Sequence, residues 1–132
     1  MELLIGQEYS VQEVLEFATE NNMPEVAAIL LTDPNLIPFK TDGCSMFPDT
    51  VDGVCISSAC IKHDIRYWCG LHGDTQARLD ADLKLKFDIE ELVRIAGKTD
   101  SLRALDDIVF AGVRLGGSEM WPTSFRWGSG YS

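Results

Sequence analysis

The sequence predicts an all-α fold, and three observations carry that prediction. Apolar residues recur at helical spacing in five stretches. Capping residues and breakers fall between those stretches. The alternation expected of strands is weak throughout.

Each element can be justified in order. Ser10 and Glu13 have capping-box spacing, and Val11, Val14, Leu15 and Ala18 follow at helical intervals. Asn21-Asn22 breaks this helix. Pro24 suits the first turn of a second one, PEVAAILL, which Asp33-Pro34 ends. Residues 10–32 are therefore expected as a helical hairpin that serves packing. Residues 33–58 read as loop, broken by Pro34, Pro38, Gly43, Pro48 and Gly53. From Ser58 the helical pattern returns. Ala59, Ile61, Ile65 and Trp68 can face inward, and Gly70 and Gly73 stop the helix. Thr75 can cap the next helix. Its apolar stripe is Leu79, Leu83, Phe87, Leu92 and Val93, with Lys84, Lys86, Glu90 and Glu91 on the wet side. Ser101 caps a last helix carrying Leu102, Leu105, Ile108, Val109 and Val113, and Gly116-Gly117 ends it. In the aromatic tail, Trp121, Phe125, Trp127 and Tyr131 are expected to fold back over the core rather than form a lipid-contacting rim.

Composition bounds what such a fold can do. The chain has 132 residues, enough for one compact domain spanning 1–132. Within it, residues 10–32 form the hairpin, 41–94 a loop and helix pair, and 101–132 the last helix and tail. A net charge of −10 argues against nucleic acid, whose phosphates would be repelled. It argues equally against adsorption to anionic membranes. No apolar run approaches the roughly 20 residues of a membrane span. The acidic N-terminus lacks the basic region of a signal peptide, so the chain reads as cytoplasmic, with export by another route left open. In a reducing compartment its four cysteines, Cys44, Cys55, Cys60 and Cys69, should be mostly thiols.

The chemistry concentrates in CIKHDIRYW, residues 60–68. His63 and Tyr67 are four apart and share a helix face, with Cys60 nearby. Asp64 is turned by about 100° and points at a different neighbour. The two polar groups can thus serve adjacent sites. The short link GLHGDT predicts that the next helix packs antiparallel. An aspartate there could face His63, hold its Nδ1–H and leave Nε2 free as a base. Asp80 and Asp82 both lie there, after Arg78. Tyr67 could donate to the same carboxylate. Upstream, TDGCSMFPD places Asp42 and Asp49 around a glycine. Asp42, the Gly43 carbonyl and Asp64 would make a partial oxygen shell for Ca²⁺. A zinc set of Cys60, His63, Cys69 and His72 would need a sharp turn that DIRYW does not provide.

The combination DGCS…PD, then CxxHDxxY, then RxxxD resembles the phospholipase A2 superfamily, in its small bacterial and fungal branch. The resemblance covers residues 41–88. It implies two antiparallel helices carrying a His-Asp site. His63 would be the base that activates a water against an ester carbonyl, and an aspartate of the next helix would orient it, Asp82 fitting best by phase with Asp80 as the alternative, and Tyr67 bonded to that acid. Asp42, Gly43 and Asp64 would hold a Ca²⁺ that stabilises the oxyanion. Cys44 and Cys60 would be paired. The implied partner is a phospholipid or another acyl ester. The unfamiliar tail keeps open a non-catalytic binding protein of the same fold, with a protein partner unknown.

Overall fold

The computed structural model describes residues 1–33, 35–45, 47–120 and 125–131. Pro34 and Trp121, assigned above to a helix end and to the aromatic tail, lie outside the described residues. The described chain is mostly helical. Its elements are β1 (Glu8–Tyr9), α1 (Val11–Glu20), α2 (Pro24–Thr32), β2 (Phe39–Lys40), β3 (Thr50–Val51), β4 (Val54–Cys55), α3 (Ser57–Trp68), α4 (Thr75–Ile95), α5 (Leu105–Gly116) and a short 3₁₀ turn (Ser129–Tyr131).

The N-terminal hairpin forms as its residues dictate. The Ser10 side chain accepts from the Glu13 amide and Glu13 returns the bond to the Ser10 amide. Asn21 closes α1, and Asn22 turns with a left-handed backbone. Pro24 opens α2 and Asp33 closes it. Val14, Phe17, Met23, Val26 and Leu30 form an apolar cluster with Phe39, Ile61, Ile65 and Trp68. A bond from Arg66 Nε to Glu25 at 2.9 Å ties α3 to α2.

Residues 33–58 are not wholly loop. β1 pairs antiparallel with β2, and β3 with β4. The second pair is a VDGV hairpin in which Asp52 and Gly53 both have positive φ, 48° and 76°. Two central residues with positive φ match the right-handed strand twist, which is why Asp-Gly favours this turn. Gly53 is thus a hairpin former, where the sequence reading took it only as a breaker.

Three helix details also differ. Asp74, not Thr75, caps α4, accepting from the Ala77 amide at 3.0 Å. Ser101 caps nothing. It bonds Asp52 and the Lys98 carbonyl, and α5 starts later, at Leu105. The buried stripe of α4 is Ala81, Asp82, Leu85, Ile89 and Val93, while Phe87 is 56% exposed. The apolar periodicity misled here because the stripe facing the core contains a carboxylate. Leu85, Ile89 and Val93 pack with Ile56, Ala59 and Val109, so α4 lies between α3 and α5. The tail does return to the core. Trp127 is buried against Tyr67, and Tyr131 packs on the N-terminal cluster. Among the described residues no helix is long and apolar enough to cross a membrane.

Candidate active site

α3 turns His63 and Tyr67 to one face, one helical turn apart, with ring centroids 4.3 Å apart. α4 runs back along that face: His63 meets Asp82, and Tyr67 meets Arg78, so the contacts run in opposite directions along the two helices. Asp82 is completely buried. Its Oδ1 lies 2.7 Å from His63 Nε2 and accepts from the Tyr67 hydroxyl at 2.6 Å. Asp80 is exposed and bonds Gln76 instead, so it is not the partner.

The ring is the reverse of the sequence expectation. Asp82 engages Nε2, not Nδ1. An ionised carboxylate only accepts, so Nε2 carries the proton and the lone pair of a neutral ring sits on Nδ1. Among the described residues nothing bonds Nδ1. Which nitrogen an acid meets depends on how the helices cross, and helical phase does not encode that.

Electrostatics favour a neutral ring beside an ionised acid. Burial lowers the His63 pKa, the bond and charge of Asp82 oppose this, and the charges of Arg66 and Arg78 add to the lowering. Burial alone would raise Asp82. The hydrogen bonds from His63 and Tyr67, the His63 charge and the bond from Arg114 outweigh it, holding the carboxyl below its usual range. Burial, then the Asp82 charge, lift the Tyr67 phenol, so it donates rather than ionises.

No protein-family model, curated protein or solved structure matches the chain. What the site can do follows from its own geometry.

His63 lines a cavity of about 40 Å³ with Gly43, Phe47, Asp64, Val113 and Phe125. That is room for a water or two. A larger cleft, about 380 Å³, lies between α2, the α3–α4 turn and the start of α4, and Asp80 lines it while His63, Asp64, Tyr67 and Asp82 do not.

Asp64 points away from Asp82. Its Oδ2 accepts from Thr41 Oγ1 at 2.5 Å. Burial pushes its pKa up to about 7, the Asp42 charge adds to this, and the Thr41 bond opposes it. Asp42 and Asp64 line one small cavity, and no cation pairs with Asp64 among the described residues. Asp64, raised by burial and without a counter-charge among the described residues, with Asp42 on the same small cavity, suits a hard cation. No group of three or more acid, histidine or cysteine side chains gathers among the described residues. Carbonyls and water would have to complete a shell. Asp49 shapes the loop: its Oδ1 accepts from the Cys44 amide at 2.8 Å. Gly43 (φ 72°) leaves no room for a side chain, since a Cβ would meet Asp49 Oδ1 at 2.6 Å.

Cys44 and Cys60 are bridged, which ties the Gly43 loop to α3. This is the pairing the family resemblance implies, and Cys55 and Cys69 remain thiols. The bridge removes Cys60 from any zinc set. Cys69 is buried with its thiol pushed up to about 12, again chiefly by burial. His72 is exposed beside Glu119.

The sequence reading missed Arg114, whose Nη1 donates to Asp82 Oδ2 at 2.7 Å. It saw Arg78 only as part of a motif. Arg78 Nε donates to the Tyr67 hydroxyl, and Nη2 donates to the carbonyls of Val113 and Arg114. The available signal was a cation in the last turn of an apolar helix. The acid it serves lies on another helix.

Proposed function

We propose that the chain is a calcium-dependent ester hydrolase of phospholipase A2 type, acting on a phospholipid or a related acyl ester. One observation carries the reading: a buried neutral His63, held at Nε2 by an ionised Asp82 that Tyr67 braces, with no partner on Nδ1 among the described residues. This is the arrangement a general base needs. Nδ1 takes a proton from water as the water oxygen attacks the ester carbonyl. The Asp82 charge then stabilises the imidazolium, and Nδ1 returns the proton to the leaving alkoxide. With calcium held by Asp64, Asp42 and the Gly43 carbonyl, a Lewis acid would be available to the carbonyl oxygen. The resemblance of DGCS, CxxHDxxY and RxxxD to that family supports the same reading.

Hydrolysis of mixed phospholipid vesicles, titrated with calcium, tests it. His63→Ala should abolish turnover while circular dichroism and calcium binding persist. Asp64→Asn should remove activity and calcium dependence together. Unchanged hydrolysis by His63→Ala would sink the reading. The small cavity at His63, about 40 Å³, favours a second reading, a non-catalytic binding protein of this fold. It predicts no turnover of any phospholipid or lysophospholipid at millimolar calcium.

A further inference from the structure

We infer that Arg114 is a positioning residue for the His63–Asp82 pair, and that Arg78 sets where Arg114 stands. The kinetic arm of the test below rests on the hydrolase reading, and the spectroscopic arm does not.

His63 and Tyr67 both engage Oδ1 of Asp82. Two bonds to one oxygen leave the second oxygen of the carboxylate to be held by another group. Arg114 Nη1 engages the other oxygen, Oδ2, at 2.7 Å. A carboxylate held at both oxygens has a fixed plane, and charge-assisted bonds are the stronger kind. Without Arg114, Oδ2 would be a fully buried acceptor with no protein partner. Among the described residues, Arg114 supplies the one formal positive charge bonded to Asp82 besides a protonated His63.

The position of Arg114 is itself set. Arg78 stands one turn before Asp82 on α4. Its Nη2 donates at 2.9 Å to both the Val113 and Arg114 carbonyls, at the C-terminal end of α5. These carbonyls end a helix and carry partial negative charge. Its Nε reaches the Tyr67 hydroxyl at 3.1 Å, so one guanidinium spans the α5 end and the site. Beyond it, Gly117 lies so close to Tyr67 that a Cβ would come within 2.6 Å of the ring. α5 is thereby docked on the His63 side of α3 and presents Arg114 to Asp82.

The test uses R114Q, R114K and D82N in the full chain. R114Q should lower kcat about 100-fold, the scale expected when a reacting group is displaced by about 1 Å. KM should stay within about threefold, because nothing that touches substrate has been removed. R114K should recover kcat to within about tenfold of wild type. In the D82N background R114Q should cost less than about threefold, since the residue it acts through has already lost its charge. Equal losses in both backgrounds, or no loss in either, overturn the proposal. The second arm needs no substrate. The chain has two histidines, so ¹⁵N-histidine labelling isolates the His63 Nε2–H resonance, expected at low field in wild type. That resonance should move upfield or vanish in R114Q and persist in R114K, and an unmoved resonance in R114Q overturns the proposal. If R114Q does not fold, R114K decides: a folded lysine variant that keeps the resonance supports the proposal, and one that loses it overturns it. If wild-type protein hydrolyses nothing, the hydrolase reading fails and the resonance still reads the positioning role.

Discussion

On one side of α3, Ile61, Ile65 and Trp68 enter an apolar cluster with Val14, Phe17, Val26 and Phe39. On the other, His63 and Tyr67 meet Asp82, with Arg78 and Arg114 behind it. The same helix uses two kinds of contact. The apolar side needs volume and shape, and it tolerates exchange among residues of similar size. The polar side needs every donor and acceptor in place, because a half-satisfied buried network is worse than none. The first side holds the helix. The second fixes a histidine in one orientation at a stated atom.

Substitutions on the two sides should separate these jobs. Asp82→Ala should have the largest effect. It removes the acceptor for three donors and should lower stability by about 3–5 kcal/mol in urea denaturation, with hydrolysis abolished. Ile65→Ala should also destabilise strongly, by about 2–5 kcal/mol, yet leave hydrolysis per folded molecule within about threefold of wild type. If it abolished activity at full folding, the two sides would not be separable.

Acid offers a graded version of the first substitution. The folded pKa of Asp82 is held below its ordinary 3.8. Its stabilising contribution is therefore complete above 3.8 and is lost as pH falls through the lower folded value. The stability gap between wild type and Asp82→Asn should close over that window, as read from melting temperatures. Asp64 has the opposite sign. Its pKa is raised to about 7, so the fold gains from its protonation as pH falls from about 7 toward 3.8. The smallest effect belongs away from both sides. Asp74→Ala should cost about 1 kcal/mol by removing the α4 cap, while Thr75→Ala should cost a few tenths.

The same contrast governs what the sequence reveals. The hairpin of α1 and α2 was legible because its signals are local: Ser10, Glu13, Asn21 and Pro24 act within a few residues of themselves. The VDGV hairpin was equally local, and Asp52-Gly53 was readable as a turn. The partnership of His63, Tyr67 and Asp82 was legible through helical phase and one short link. The stripe of α4 was misread because Leu79, Leu83 and Phe87 keep helical spacing while the packed stripe contains Asp82. Arg114 stayed hidden because its partner lies 32 positions away, on a helix whose docking depends on Arg78 and Gly117. The ring nitrogen was set by the crossing of two helices, which phase alone does not give.

The α3–α4 turn has a consequence for how the protein is made. Gly70 leaves space that the Trp127 ring fills, and the Trp127 indole N–H donates to the Leu71 carbonyl at 2.8 Å. During synthesis, His63 and Asp82 leave the ribosome well before Arg114, Phe125 and Trp127. The Cys44–Cys60 bridge spans 16 residues and can close on the early portion alone. The guanidinium behind the His63–Asp82 pair and one wall of the pocket therefore emerge after the pair itself.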